Sequence, residues 1–195
     1  MQINDLKTNE NELIIGPKLF TPSKFKDNRG YFFESWNKNS FDKALSREVV
    51  FVQDNISFSM KGVLRGLHYQ KKPFSQGKLV RCSSGSIYDV ALDIRNNSKT
   101  FGKWVGVILS ANNEKSFWIP EGFAHGFLAL EDNTKVNYKV NNYWNSDYER
   151  SINWKDDFIN INWNTGSFEI FKPILSKKDE SAPSFRQALQ NQDFL

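Results

Sequence analysis

Short apolar or alternating segments at 80–82, 87–94, 104–109, 117–119, 127–130 and 136–140 follow one another closely, with Gly, Asn, Ser or Asp turns between them. Regular spacing of this kind is the signature of a strand meander and suits a jelly roll. Lys61-Gly62, Ser84-Gly85 and Asp132-Asn133 supply the tight-turn or positive-φ residues that hairpins need. Aromatic residues make up 15% of the chain, with 17 Phe and 6 Trp, and pleated sheet faces accept such bulky side chains well. The expectation is an all-β sandwich or barrel. Helical signal is confined to 40–45, opened by Ser40 as N-cap, and to 184–190, where Phe185, Ala188 and Leu189 are spaced for one apolar face. At 195 residues, one domain spanning 1–195 is expected.

The net charge of +4 and pI near 9.0 do not imply nucleic-acid binding, because acids and bases are interspersed without a block of like charge. A small anionic ligand needs only a few cations converging in a pocket. The lone cysteine, Cys82, cannot form an intramolecular disulfide. Residues 1–5 lack the charged and apolar regions of a signal peptide, and no apolar run reaches membrane-spanning length. These features lead us to expect a cytoplasmic protein with no membrane partner.

The run 62–81 gathers His68, Lys78, Arg65 and Arg81 on consecutive β segments. Residues i and i+2 of a strand share a face, so each segment can send several polar side chains into one cavity. Only two histidines exist, His68 and His125. A metal-binding arrangement would want a second histidine at i+2, and those positions hold Gln70 and Phe127, so no metal is expected. Without a metal, His68 reads either as a core histidine satisfied by hydrogen bonds or as a general base, since imidazole is partly neutral near pH 7. The cations around it favour the base, because apolar cores do not collect charge. Lys78 is either a surface lysine or the group that holds an oxyanion formed when a carbon acid loses its proton.

Phe-Lys-Asp-Asn-Arg-Gly at 25–30, Gln53-Asp54-Asn55, Leu64-Arg65-Gly66-Leu67-His68 and Ile-Pro-Glu-Gly-Phe-Ala-His-Gly-Phe at 119–127 recur together in one family. The chain resembles the dTDP-4-dehydrorhamnose 3,5-epimerases, with motifs in matching order from about residue 20 to Ser-Lys-Lys-Asp at 176–179. The resemblance implies a cupin-type jelly-roll β-sandwich with short peripheral helices, assembled as a homodimer, acting on a dTDP-sugar without a cofactor. It implies that His68 is the base, that Asp179 braces it, that Lys78 stabilises the enolate and that Tyr138 is the proton donor. Two proton-transfer groups are needed, because inverting a stereocentre takes a proton from one face and returns one to the other. The resemblance also implies substrate binding by Arg29, Glu34, Gln53, Asn55, Arg65, His125, Glu149 and Lys178, with Trp144 stacked on thymine. Two departures stand out: Trp144 falls where Tyr is commoner, and 165–173, carrying Phe168 and Phe171, is longer than the family pattern. The rival readings are a monofunctional 3- or 5-epimerase of another deoxysugar and a non-catalytic sugar-nucleotide-binding jelly roll.

Overall fold

The computed structural model describes residues 1–191 and Phe194. Along the chain run β1 (Gln2–Lys7), β2 (Leu13–Thr21), β3 (Phe25–Asp27), β4 (Gly30–Phe32), α1 (Lys38–Leu45), β5 (Gln53–Ser59), β6 (Leu64–Gln70) and β7 (Lys78–Ser84). They are followed by β8 (Ser86–Asp93), β9 (Trp104–Ser110), β10 (Ser116–Ile119), β11 (Phe123–Ala129), β12 (Thr134–Val140), β13 (Glu149–Ser151), α2 (Lys177–Glu180) and α3 (Phe185–Gln190). One sheet has the order β1-β2-β10-β7-β12-β5, a second has β13-β6-β11-β8-β9, and β3-β4 form a separate hairpin. The two larger sheets stack as the expected jelly-roll sandwich.

Alternation along the strands sorts the side chains into three apolar layers. Between the sheets, Val80, Cys82, Phe117 and Val136 of the first meet Ile87, Ala91, Val107 and Phe127 of the second. Outside the second sheet, Leu67, Tyr88, Val90 and Leu128 are covered by Ile152, Trp163, Phe185 and Ala188 from the C-terminal third. Outside the first, Leu79 and Trp118 pack against Phe41 of α1, whose ring meets Trp118 edge-on at 5.3 Å. Each such fully buried side chain contributes about 1.5–3 kcal/mol over leaving it in water.

The six segments expected from the sequence coincide with β7 to β12, with Ile94 and Leu130 one residue beyond the ends of β8 and β11, and Gly62, Gly85 and Asn133 adopt the positive φ their turns require. Three local details differ from expectation. Helix α1 is capped by Asn37, whose side chain accepts from the Ser40 amide, so Ser40 lies inside the helix rather than before it. Ser184 does cap α3 in a reciprocal capping box, but Leu189 is 43% exposed and only Phe185 and Ala188 form its buried face. The single-turn α2 was not expected, because four polar residues carry no apolar period. Among the described residues, no helix is long and apolar enough to cross a membrane.

Candidate active site

One end of the inter-sheet layer is polar. His68 and Gln70 of β6, Lys78 of β7, Tyr138 of β12, Gln53 and Asn55 of β5, Glu149 of β13 and Trp144 line a cavity of about 140 Å³. Period-2 alternation explains the gathering: His68 and Gln70 share a face, as do Gln53 and Asn55, while the register sets Tyr138 opposite Asn55 and Val80. Strands β6 and β11 approach closely at Gly66, where an added Cβ would lie 2.5 Å from the Gly126 Cα and 2.6 Å from the His125 carbonyl oxygen. Its φ of 120° adds a second reason for glycine there. The close contact sets His68 and His125 directly opposite one another.

His68 Nε2 lies 2.5 Å from Asp179 Oδ1. The carboxylate arrives through local chemistry: Ser176 caps α2, accepting from the Asp179 amide at 3.1 Å and donating its hydroxyl to Asp179 Oδ2 at 2.8 Å. Upstream, Ile174 bridges to Val63, which ties the end of the 165–173 segment to the start of β6. Within that segment Ile170 is buried and Phe168 packs on the outer layer, whereas Phe171 is 93% exposed. Asp179 is 3% exposed, and burial pushes its carboxyl up. The His68 and Ser176 hydrogen bonds and the nearby His68 and Lys178 charges outweigh burial and hold it below the usual carboxylate range. A carboxylate held ionised against an imidazole orients the ring and stabilises its protonated form.

Across the cavity, burial lowers the Lys78 ammonium to about 8, against the pull of Asp89 and Glu149 and with help from Lys178. Burial raises the Tyr138 phenol, so it stays protonated through neutral pH. His68 thus stands on one sheet, with Tyr138 and Lys78 on the other.

The residues expected to bind substrate divide into those at the cavity and those away from it. Gln53, Asn55, Trp144 and Glu149 line it. Gln53 donates to the Asn55 side chain at 2.8 Å, and Lys178 pairs with Glu149 at 2.6 Å. Trp144 is 57% exposed and hydrogen-bonds Glu149, leaving ring surface free for stacking. Arg65 is tied to the Phe58 carbonyl and the Ser59 hydroxyl outside the cavity lining, although its charge reaches Tyr138. His125 is buried and engaged with Asp89 at 2.6 Å instead of lining the cavity. Arg29 lies on the β3–β4 hairpin paired with Asp27, and Glu34 just beyond it contacts Asn37, so neither lines the cavity.

Gln70, which the sequence presented only as a missing histidine, lines the site and braces it. Its amide donates to the carbonyls of Phe74 and Tyr143, and its oxygen accepts from the Asn145 amide, holding Trp144 between. Its position two residues after His68 was the available signal. Among the described residues, no three His, Cys, Asp or Glu side chains gather as a metal ion would require.

A family model described as dTDP-4-dehydrorhamnose 3,5-epimerase matches residues 12–187. A relative from Shigella flexneri, named dTDP-4-dehydrorhamnose 3,5-epimerase, is 51% identical over 186 residues, covering 95% of this chain and 98% of its own. The solved epimerase of Mycobacterium tuberculosis superposes with a TM-score of 0.93 at 36% identity, over 100% of this chain and 93% of that one. The Legionella pneumophila dTDP-6-deoxy-D-glucose-3,5-epimerase, solved in complex with dTDP-4-keto-L-rhamnose, superposes at 0.86 with 41% identity, over 99% and 97%. With a family match across most of its length and half of its residues shared with a full-length relative, the chain belongs to the dTDP-4-dehydrorhamnose 3,5-epimerase family.

Proposed function

We propose that this protein is a cofactor-independent isomerase that converts dTDP-4-dehydro-6-deoxy-D-glucose to dTDP-4-dehydro-β-L-rhamnose, a step of dTDP-L-rhamnose biosynthesis. The observation that carries this reading is His68 on one sheet, paired with Asp179 of α2, facing Tyr138 and Lys78 on the other sheet. The C4 ketone of the sugar acidifies the hydrogens at C3 and C5. At C5, His68 takes the proton and the C–H electrons form a C4–C5 double bond, leaving an enolate oxygen beside the Lys78 ammonium. The enolate collapses, C5 takes the Tyr138 proton on the opposite face, and the configuration inverts. His68 and Lys78 serve C3 in the same roles once His68 has returned its proton to solvent, and solvent water supplies both the new proton at C3 and the one that restores the Tyr138 phenol.

Lys178, Glu149, Gln53 and Asn55 hold the sugar nucleotide, with Arg65 near the cavity edge, Trp144 stacked on thymine and His125 buried behind the site against Asp89. We further propose that residues 1–195 form one domain, that the protein is cytoplasmic, and that it works as a homodimer. Exposed apolar side chains support the dimer: Ile56 and Phe58 on edge strand β5, and Phe25, Tyr31 and Phe32 on the β3–β4 hairpin. Arg29 and Glu34, off the cavity of their own chain, then serve the ligand of the partner copy. The test is His68→Ala with this substrate. Loss of the general base costs about 10²-fold or more in kcat, and near-wild-type turnover defeats the assignment.

A further inference from the structure

Asp89 lies midway along β8, fully buried, on the face that carries Ile87 and Ala91 into the inter-sheet layer. A carboxylate in such a layer is costly unless it is paired. Its Oδ1 meets His125 Nε2 at 2.6 Å. Its Oδ2 is buried as well and has no hydrogen-bond donor among the described residues. Packing alone would be served by another apolar residue, as it is two positions away on either side. The unspent charge therefore calls for a role, and its neighbours supply one.

We propose that Asp89 is a positioning residue of this site, holding His125 in the tautomer protonated at Nε2 beside the Lys78 side of the cavity. The proposal rests on the epimerase reading and extends it. With Nε2–H committed to Asp89, the neutral His125 ring is left with Nδ1 as an acceptor, facing away from the carboxylate. His125 is flanked by Asp89, Lys78 and His68, and burial keeps its ring below the usual imidazole value despite the carboxylate. Lys78 feels Asp89 and Glu149 as attractive charges and Lys178 as a repulsive one. Neutralising Asp89 removes one of its two stabilising charges and leaves burial less opposed. The enolate-holding lysine then loses its proton at lower pH.

The experiment is kcat against pH for wild type, Asp89→Asn and Asp89→Glu with dTDP-4-dehydro-6-deoxy-D-glucose. The alkaline limb is expected to move down by about one pH unit in Asp89→Asn and to return partway in Asp89→Glu. A purely structural Asp89 would lower Tm or scale the whole profile without moving that limb, and such a result overturns the proposal. ¹⁵N NMR of the wild type reads the tautomer directly, free of any folding defect in the variants. Protonation at Nε2 of His125 is expected, and an Nδ1–H ring overturns the proposal whatever the variants do. A wild type that turns over no substrate counts instead against the epimerase reading, and the ring tautomer is still decided.

Discussion

Replacing Asp179 by Asn keeps the side chain's size and its place in the Ser176 cap but removes the charge 2.5 Å from His68. The reaction develops positive charge on the imidazole as it accepts the carbon-bound proton, so the lost interaction is one that grows towards the transition state. Taking the charge centres as about 4 Å apart at an effective dielectric near 20, the attraction is roughly 4 kcal/mol, or about 10³-fold in rate. Solvent reaching the half-buried His68 trims that figure, so a fall in kcat of about 10²- to 10³-fold is expected. KM should change little, because no substrate contact is assigned to Asp179. Progress curves followed by ¹H NMR at pH 7.5, beside circular dichroism to verify the fold, measure it. A folded variant with kcat within about threefold of wild type would show that the carboxylate does not assist the base.

Three other substitutions or titrations follow from the geometry. Lys78 must be protonated to hold an enolate, and burial lowers its ammonium to about 8, so kcat should fall as pH rises through that value; a profile flat from pH 7 to 10 would contradict the role. Trp144→Ala should raise KM about tenfold with kcat nearly unchanged, since stacking of a base on a ring contributes about 1–1.5 kcal/mol; equal affinity for dTDP by calorimetry would remove Trp144 from the nucleotide site. Gly66→Ala forces a methyl group into the Gly126 backbone at a positive φ, so thermal denaturation should show a loss of 2 kcal/mol or more; an unchanged Tm would deny the close approach of β6 and β11.

Much of the site was legible because strand alternation converts spacing into facing. His68 and Lys78 were drawn together from strands whose period is two, while Tyr138, Gln53 and Asn55, which project into the same cavity, came from the family resemblance. Asp179 could not be singled out by pattern among 22 acidic residues, since its contact with His68 spans 111 positions of sequence. It came from resemblance alone. The N-terminal strands escaped a reading based on apolar periodicity for physical reasons. Strand β1 is almost wholly exposed, and in β5 the polar Gln53 and Asn55 face the cavity while Ile56 and Phe58 face outward, inverting the usual pattern. Asp89 was hidden inside the mostly apolar run 87–94, where it and Asp93 read as interruptions until the partner of Asp89, His125, is seen on the neighbouring strand. Arg29 and Glu34 match the family's sequence pattern, yet their hairpin stands off the cavity of its own chain, which only coordinates could reveal.

The central claim is that one base and one ketone together invert two carbons. It is tested most directly by a ¹H NMR time course of the purified protein with dTDP-4-dehydro-6-deoxy-D-glucose in D₂O with chelator present, following deuterium at C3 and C5. The account predicts solvent deuterium at both carbons in product of the L-rhamno configuration, with both exchanges lost together in His68→Ala. Label at one carbon only, or exchange that persists in His68→Ala, would contradict it.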